Sequence, residues 1–454
     1  MGPAKDRWTP ADPRPLVLNR PRKQRPVARP ADTPGLAARR GALGRLDAVF
    51  ERGAMLDDGP SGGATGPERA QALSLADLTL RRLGQIDDVL AHFVDRKPKG
   101  TGLQILRLMA AELLFEGTPP HAAVDLAVRL AQGGRGTARL SGLINAVGRR
   151  LAEQGAELTS GQDAGPMNMR GWLRERLIKD WGRETALGIA KAHLSPAPHD
   201  LTMRHPEDLK PLAQETGGTI LPTGSLRLAG RPQISALPGY EQGAWWVQDA
   251  AAALPARLIS SPEGKRVLDL CAAPGGKTMQ LAAMGAEVTA LDISDGRLMR
   301  LRENLKRTGL DARIVNTDAL EWQPDQPFDA ILLDAPCSAT GTIRRHPDLP
   351  YRSSAKGLKS LTELQSRLLN RAASWVAPGG TLIFCTCSLF PAEGELQTKA
   401  FLERQADFRR QPIGTDEIPP ELVNRAGDMR TRPDHWADQG GLDGFFATRL
   451  VRAR

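Results

Sequence analysis

The chain has 454 residues, enough for roughly two to four domains, and its 41% hydrophobic and 25% charged residues are typical of an ordinary soluble protein. No apolar stretch approaches the roughly 18 residues of a membrane span, and the basic N-terminus lacks the apolar core of a secretory signal, so we expect a cytoplasmic protein. The chain has too few cysteines for a secreted disulfide scaffold, and their spacing, which includes no C-x-x-C pair, argues against a zinc site. The four are Cys271, Cys337, Cys385 and Cys387.

The net charge of +9 is concentrated near the N-terminus and indicates an anionic partner. The first fifty residues hold eleven Lys and Arg against four Asp, a net of +7, which leaves +2 for the rest of the chain. Residues 1–35 contain eight Pro and eight Lys or Arg, so we predict a disordered leader. Such a leader can bind phosphate in a salt-dependent way, or it can simply be a solubilising segment.

Helical periodicity dominates the next segment, 36–158. Apolar residues recur at helical spacing, with little strand signal, over 73–83, 86–93, 102–115, 122–130 and 140–151. A break rich in glycine and proline interrupts the pattern at 57–67. We therefore predict an all-α domain over 36–158, followed by a linker at 160–166.

The middle of the chain has a mixed pattern. Helical stretches at 171–181 and 184–194 precede short apolar pieces that lie between glycines and prolines, which predicts a small α+β domain over 168–235. The next segment, 237–259, has the pattern of a turn that leads into a helix. We place the start of the last domain at residue 236.

From Arg266 onward, apolar runs alternate with helical stretches. The runs are RVLDLC, EVTALD, RIVNTD, FDAILLDAP and GTLIFCTCS. This alternation predicts a parallel sheet with helices on both faces, because strands buried on both faces are unbroken apolar runs. We expect a Rossmann-like α/β domain over 236–454, with 444–452 as an added antiparallel edge strand.

The turn after the first of these strands has the form of a cofactor-binding loop. VLDLCAAPGGKT (267–278) runs from a strand through a glycine turn into a helix start, where backbone N–H groups face a ligand. A phosphate-binding P-loop would need Gly at the position of Cys271, and G-x-G-x-x-G is absent. Asp269, inside the strand, is placed to contact the amino group of a cofactor or to cap the turn.

Two more aspartates end the neighbouring predicted strands. Asp292 ends the second strand, about twenty residues beyond the loop, where an acidic residue can accept hydrogen bonds from ribose hydroxyls. Asp318 ends the third strand, at the same edge of the sheet. The alternative for Asp292 is a turn or helix-cap aspartate.

The fourth and fifth predicted strands bring cysteines to this rim. They end in DAPCSATGTIRRHPD (334–348) and FCTCSLFP (384–391), so Cys337 and Cys387 should converge near the cofactor loop. A lone strand cysteine is usually a small buried hydrophobe, but a pair at one rim favours covalent catalysis. Cys385 shares a strand face with Cys387, so periodicity alone does not choose the nucleophile.

Covalent catalysis by cysteine suits a methyl transfer to cytosine. Carbon 5 of cytosine is a poor nucleophile, and a thiolate that adds to carbon 6 makes it enamine-like. Asp334 is placed to stabilise this intermediate, either by accepting from the exocyclic amine or, when protonated, by donating to N3. A base must then remove the carbon 5 proton before the thiol leaves.

At these motifs the sequence resembles the NOL1/NOP2/Sun family of RNA cytosine-5 methyltransferases. The matching pieces are CAAPGGK (271–277), ALDIS (290–294), Asp318, DAPCSATGTIRRHPD (334–348) and TCS (386–388), with LPGYEQG and VQD before them (237–249). The resemblance covers roughly residues 168–454, although 195–235 matches poorly. Residues 37–155 resemble the NusB-type RNA-binding domain through ILRLMAAELLF, PPHAAVDLAV and LINAVGRRL.

The resemblance implies S-adenosyl-L-methionine as the cofactor and small-subunit (16S) ribosomal RNA as the partner, with no metal and a monomeric chain. It makes Cys387 the nucleophile, gives Cys337 a part in product release and makes Asp334 a contact of the base. Cys385 stands where the family often has a small residue, which implies a structural substitution. The implied cofactor-binding residues are Cys271, Ala272, Ala273, Pro274, Gly275, Gly276, Lys277, Asp292, Asp318 and Asp334.

The resemblance also implies an RNA-facing stretch at Arg344, Arg345 and His346, for which the alternative is a solvated basic turn. Two other functions share the features described so far. A NusB-like RNA-binding protein could carry a non-catalytic methyltransferase domain, although the intact Cys387, Cys337 and Asp334 argue against it. A DNA cytosine methyltransferase would use Cys337, after the proline, as the nucleophile.

Overall fold

The computed structural model describes residues 33–352 and 357–454. The predicted leader at 1–35 therefore lies outside the described residues, apart from its last three positions. The elements below all belong to the unit Gly35–Arg454. Across the described ranges, no helix combines the length and the apolar character that crossing a membrane requires.

Six helices form the first part of this unit, as the periodicity predicts. They are α1 (Leu36–Arg52), α2 (Gly66–Arg81), α3 (Leu83–Ala91), α4 (Thr101–Ala111), α5 (Pro120–Gly133) and α6 (Ser141–Ser160). Their apolar faces share one core, in which Leu46, Leu75, Ile86, Met109 and Ile144 are fully buried. The predicted break at 57–67 separates α1 from α2, and the all-α prediction is confirmed.

The segment predicted as a linker at 160–166 is partly helical. Helix α7 (Ala164–Asn168) begins four residues after α6 ends. Asn168 donates from its amide to the side-chain oxygen of Gln85 (2.9 Å) and accepts from the Gln85 backbone N–H (3.1 Å). These two bonds attach the connection to α3, a long-range contact that local composition does not predict.

The middle of the chain has the predicted α+β character. It contains α8 (Gly171–Trp181), α9 (Arg183–Ala192), β1 (Asp200–Met203), α10 (Leu209–Thr216), β2 (Thr219–Ile220), β3 (Leu226–Arg227), β4 (Trp245–Val247) and α11 (Leu254–Arg257). The strands form an antiparallel sheet in the order β2-β3-β1-β4. Strand β4 lies in 237–259, where we expected only a turn and a helix, because Trp245 and Trp246 are buried and pair with β1.

The rest of the chain forms the predicted Rossmann-like layer structure. Its elements are β5 (Arg266–Leu270), α12 (Gly276–Ala283), β6 (Glu287–Asp292), α13 (Asp295–Thr308), β7 (Arg313–Asn316), β8 (Phe328–Asp334), α14 (Leu349–Arg352), α15 (Leu358–Trp375), β9 (Val376–Thr386), α16 (Glu395–Arg404), β10 (Phe408–Arg410), β11 (Met429–Thr431) and β12 (Phe445–Arg452). Strands β5 to β9 are mutually parallel. The order is β10-β12-β9-β8-β5-β6-β7, with β11 also paired to β12.

Strand β12 is antiparallel to β9, as expected, but it is not an edge strand. Strands β10 and β11 pair along its other side. Its polar side chains explain why an inner position is possible: Thr448 donates to Asp428 (2.7 Å), and Arg449 binds both carboxylate oxygens of Glu417 (2.5 and 2.8 Å). Buried polar groups with partners are compatible with an inner strand.

Candidate active site

The loop after β5 forms a cradle at the carboxyl rim of the sheet. Gly275 has φ +105°, and a Cβ at this position would lie 2.9 Å from the side chain of Leu301, so the close approach of α13 requires glycine. Asn304 of α13 donates to the carbonyl of Pro274 (3.1 Å), which holds the loop from outside. The loop residues Cys271–Lys277 are thus fixed between β5, α12 and α13.

Asp292 and Asp318 lie on the side of the loop formed by β6 and β7. Asp292 is buried and accepts from the backbone N–H groups of Ala273 (3.1 Å) and Ser294 (2.9 Å), one on each oxygen. The oxygen that accepts from Ala273 also lies 3.4 Å from the Arg297 guanidinium, whereas the other keeps lone-pair capacity for a further donor, so the turn contact and a ribose contact are compatible. Asp318 lies two residues beyond β7 and accepts from Leu320 N–H (2.8 Å).

Asp269, in β5, is fully buried beneath the loop. One carboxylate oxygen accepts from the hydroxyl of Thr278 (2.6 Å), whereas the other has no hydrogen-bond partner among the described residues. Burial raises the pKa of Asp269 to about 7. Buried polar atoms in native structures normally have partners, so this oxygen fits a donor supplied by a ligand.

Lys277 and Asp334 form an ion pair above the loop. The Lys277 ammonium lies 2.7 Å from a carboxylate oxygen of Asp334 and 5.0 Å from the ring centroid of Phe445. Burial alone would lower the pKa of Lys277, but the charge and hydrogen bond of Asp334 raise it overall, so the side chain stays protonated. The loop lysine is therefore linked to the residue expected to contact the base.

The thiols of Cys337 and Cys387 are in contact, with 3.4 Å between their Sγ atoms. Both side chains are partly exposed, while Cys385 is buried and donates to Asp334 at 3.6 Å. The hydrogen bond with Cys387, followed by burial, raises the pKa of Cys337 well above its usual value. Cys337 therefore holds its proton and can donate it toward the sulfur of Cys387.

A buried glutamate, which no motif singled out, lies beneath this thiol pair. Glu393 is 0% exposed and accepts from the serines that follow the two cysteines, Ser338 and Ser388. It also accepts from Gln365 of α15 (3.0 Å). The sequence offers no stronger signal than a Glu six residues after Cys387, in a turn.

Arg344 and Arg345 belong to a cluster with two buried carboxylates. Arg344 is 2% exposed and lies 2.9 Å from Asp443, and Arg345 contacts Asp249 (2.6 Å) and Asp443 (2.8 Å). The alternative of a solvated basic turn is therefore wrong for Arg344, because both guanidinium groups join the 340s loop to the segments around residues 249 and 443. His346 is half-buried.

This arrangement does not present Arg344 to an RNA ligand, since its guanidinium is enclosed by protein. The RNA contact of Arg345 and His346 stays a prediction. Across the described ranges, no group of three or more His, Cys, Asp or Glu side chains is arranged to hold a metal ion.

Comparison with known proteins agrees with this geometry. Residues 256–451 match the family described as 16S rRNA methyltransferase RsmB/F, and residues 37–153 match the NusB family. The chain is 35% identical over 445 residues to ribosomal RNA small subunit methyltransferase B of Xanthomonas campestris pv. campestris, covering 92% of this chain and 98% of that protein. It is 38% identical over 393 residues to the protein of the same name from Vibrio cholerae serotype O1, covering 82% and 87%.

Among solved structures, the crystal structure of PH0851 superposes with a TM-score of 0.70 over 92% of this chain and 99% of its own, at 22% identity. At that identity the likeness shows the fold, which agrees with the layer structure described above. The identity and coverage of the two sequence relatives extend the match to both parts of the chain. The chain belongs to the RsmB/F family of 16S rRNA methyltransferases, with a NusB-family region before the methyltransferase fold.

Proposed function

We propose that this chain transfers a methyl group from S-adenosyl-L-methionine to carbon 5 of a cytosine in small-subunit rRNA, with Cys387 as the nucleophile. The observation that carries the proposal is the 3.4 Å contact between Cys387 and Cys337 at the rim that also holds the glycine loop and Asp334. One thiol is needed to form the covalent adduct, and a second in contact with it serves the release of that adduct.

The residues at the rim fit a cationic methyl donor. Four carboxylates surround the loop, at Asp269, Asp292, Asp318 and Asp334, and one Asp269 oxygen is buried without a partner. S-adenosyl-L-methionine carries a sulfonium and an amino group, and when bound it supplies the methyl group that carbon 5 receives. In our proposal the loop at 271–277 holds it, with Asp292 at the ribose and Asp269 at the amino group.

In the addition step, Cys387 attacks the base and Asp334 binds it. The Cys387 thiolate forms a bond to carbon 6, and the displaced electron pair makes carbon 5 nucleophilic. Asp334 already accepts from the Lys277 ammonium (2.7 Å), so accepting from the exocyclic amine is the role that the ion pair favours over donating to N3.

Cys337 acts in the release of the methylated base from Cys387. The carbon 5 proton must leave, the bond between carbon 6 and Cys387 must break, and the sulfur must regain a proton. Cys337 gives its proton to the departing Cys387 sulfur, 3.4 Å away, and as a thiolate accepts the carbon 5 proton. Cys387 then loses one proton to solvent and becomes again the thiolate that adds to carbon 6, so the site returns to its starting state and the proton lost from carbon 5 is accounted for.

The NusB-family region supports RNA as the partner, and a monomer in the cytoplasm that binds small-subunit rRNA stays our proposal. The domain limits 36–158, 168–235 and 236–454 also stay predictions; the small sheet takes β4 from beyond residue 235. A non-catalytic RNA-binding protein and a DNA methyltransferase are not favoured, given the family and the intact thiol pair.

The test is methyl transfer by the purified full chain from labelled donor to 16S rRNA that lacks the modification, with 23S rRNA as the control. We expect label in 5-methylcytosine of 16S rRNA only, loss of transfer in Cys387→Ser, and retention in the matched variant Cys385→Ala. An active Cys387→Ser with an inactive Cys337→Ser would instead support the DNA-type assignment. Tight RNA binding without transfer would support the non-catalytic alternative.

A further inference from the structure

We propose that Glu393 is a positioning residue that holds together the turns after Cys337 and Cys387 and thereby sets the contact between the two thiols. The importance of this contact for turnover rests on the function proposed above, but the contact itself is a matter of geometry. Glu393 does not touch the expected substrate and acts through the residues that follow each cysteine.

The bonds to Glu393 come from both turns at once. One carboxylate oxygen accepts from the backbone N–H of Ser338 (2.9 Å) and from the amide of Gln365 (3.0 Å). The other accepts from the hydroxyls of Ser338 and Ser388, each at 2.5 Å. A fully buried carboxylate that accepts four hydrogen bonds has both oxygens saturated.

The bonds to Glu393 are needed to hold the turns because the strand pairing of the sheet ends before the two cysteines. Strand β8 ends at Asp334 and β9 at Thr386, so both cysteines lie beyond the last paired residues. Other links also join the turns. Gly341 N–H donates to the carbonyl of Cys387 (2.9 Å), and Leu389 N–H donates to the hydroxyl of Thr340 (3.0 Å). The Ser388 hydroxyl also lies 3.1 Å from that of Ser338 and 3.4 Å from that of Thr340.

Glu393 is the group that contacts both post-cysteine serines and also ties them to α15 through Gln365. Glu393 also makes a smaller contribution to the raised pKa of Cys337. The pKa of Cys337 is raised first by its hydrogen bond with Cys387, then by burial, and also by the nearby charge of Glu393. A negative carboxylate behind Cys337 disfavours a second negative charge there, which keeps Cys337 as the proton-holding partner.

The geometry can be measured without RNA or methyl donor, through formation of a disulfide between Cys337 and Cys387. Diamide takes one hydrogen from each thiol and becomes the hydrazine, while the two sulfurs bond. Peptide mapping distinguishes this bond from pairs that include Cys271 or Cys385. Since the Sγ atoms are already 3.4 Å apart, the wild-type protein should form it quickly.

Glu393→Ala should slow this cross-link about tenfold or more, because four buried donors lose their acceptor and the turns separate. Glu393→Gln should stay within about threefold of wild type. Its amide oxygen can keep the bonds from Ser338 N–H and Gln365, while its NH₂ donates to the serine hydroxyls. A cross-linking rate restored by glutamine would show that the hydrogen bonds of residue 393, and not its charge, position the two thiols.

The matched control is Glu112→Gln, which changes a carboxylate that is equally buried but lies in the NusB-family region, paired with Arg39. It should leave the cross-linking rate unchanged. In methyl transfer, Glu393→Ala should lower kcat about tenfold or more while the KM for S-adenosyl-L-methionine changes less than about twofold. A general loss of structure would change both.

A Glu393→Ala protein that is folded and cross-links at the wild-type rate would overturn the proposal, as would a folded Glu393→Gln that is as slow as Glu393→Ala. If Glu393→Ala does not fold, the double variant Ser338→Ala/Ser388→Ala removes both hydroxyl contacts and should also cross-link more slowly; a wild-type rate there would again overturn it. Absent methyl transfer with normal cross-linking behaviour speaks only against the proposed function.

Discussion

Lys277 and Asp334 form an ion pair of 2.7 Å between the cofactor loop and the end of β8. The two residues are fifty-seven positions apart, and the parallel pairing of β5 with β8 brings them together. The pair links the residue expected to contact the base to the loop expected to hold the methyl donor. Asp334 is thereby held as a hydrogen-bond acceptor.

Replacing Lys277 tests this link. Lys277→Met keeps most of the side-chain length but leaves Asp334 without its counter-charge. The single-turnover rate of methylation should therefore fall roughly tenfold to a hundredfold, less than for loss of a direct transition-state contact. Lys359→Met, at an exposed position of α15, is the control and should keep the wild-type rate. A full rate in Lys277→Met would show that the ion pair does not serve the reaction.

Replacing Cys337 tests its part in release. Cys337→Ala removes the thiol that touches the sulfur of Cys387, so a covalent protein–RNA adduct should accumulate and be visible as a shifted band on a denaturing gel. The double variant Cys337→Ala/Cys387→Ser should show no band. Normal turnover without adduct in Cys337→Ala would contradict the assignment.

Asp269 makes stability depend on pH. Its native pKa of about 7 lies above its ordinary value of 3.8, so the folded state binds a proton that the unfolded state releases, and stability falls as pH rises from about 4 to 7. A shift of about three units corresponds to roughly 4 kcal/mol at most. Urea unfolding at pH 5 and pH 7.5 should therefore show a loss in the wild type that Asp269→Asn lacks; parallel losses in both proteins would exclude Asp269 as the cause.

Arg344 should matter for stability. Arg344→Met breaks a buried ion pair and leaves Arg345 as the cationic partner of both Asp443 and Asp249, which should cost up to about 3–5 kcal/mol in the free energy of unfolding. Arg129→Met, which removes an exposed pair with Asp125, should cost less than about 1 kcal/mol. Equal stability of Arg344→Met and wild type, together with weaker RNA binding, would restore the role implied by the family resemblance.

The sequence predicted the five parallel strands well, because each is an unbroken apolar run followed by a turn. It missed β4 and the inner position of β12, since both depend on which distant strand lies alongside. Trp245 and Trp246 form a strand because β1 is there to pair with them. From the sequence, polar residues such as Thr448 and Arg449 are expected to be exposed. In the structure they are buried because they bind Asp428 and Glu417, respectively.

Contacts between segments that are distant in sequence also limit how much of the candidate site can be predicted. The motifs brought Cys337 and Cys387 to one rim, but their 3.4 Å contact depends on turns beyond the paired strands. Glu393 escaped notice because its partners Ser338 and Gln365 are 55 and 28 residues away along the chain. A basic dipeptide such as Arg344-Arg345 suggests an exposed position. In the structure the two arginines instead form ion pairs with the buried carboxylates of Asp443 and Asp249.

The most direct test of the account identifies the residue that bonds to the base. RNA substituted with 5-fluorocytidine holds the adduct after methylation, because fluorine cannot leave as a proton does. Digestion and mass spectrometry of the trapped complex should place the nucleotide on the peptide that contains Cys387, with fragmentation assigning it to that sulfur and not to Cys385. A nucleotide attached to Cys337 or Cys385 would contradict the proposed mechanism.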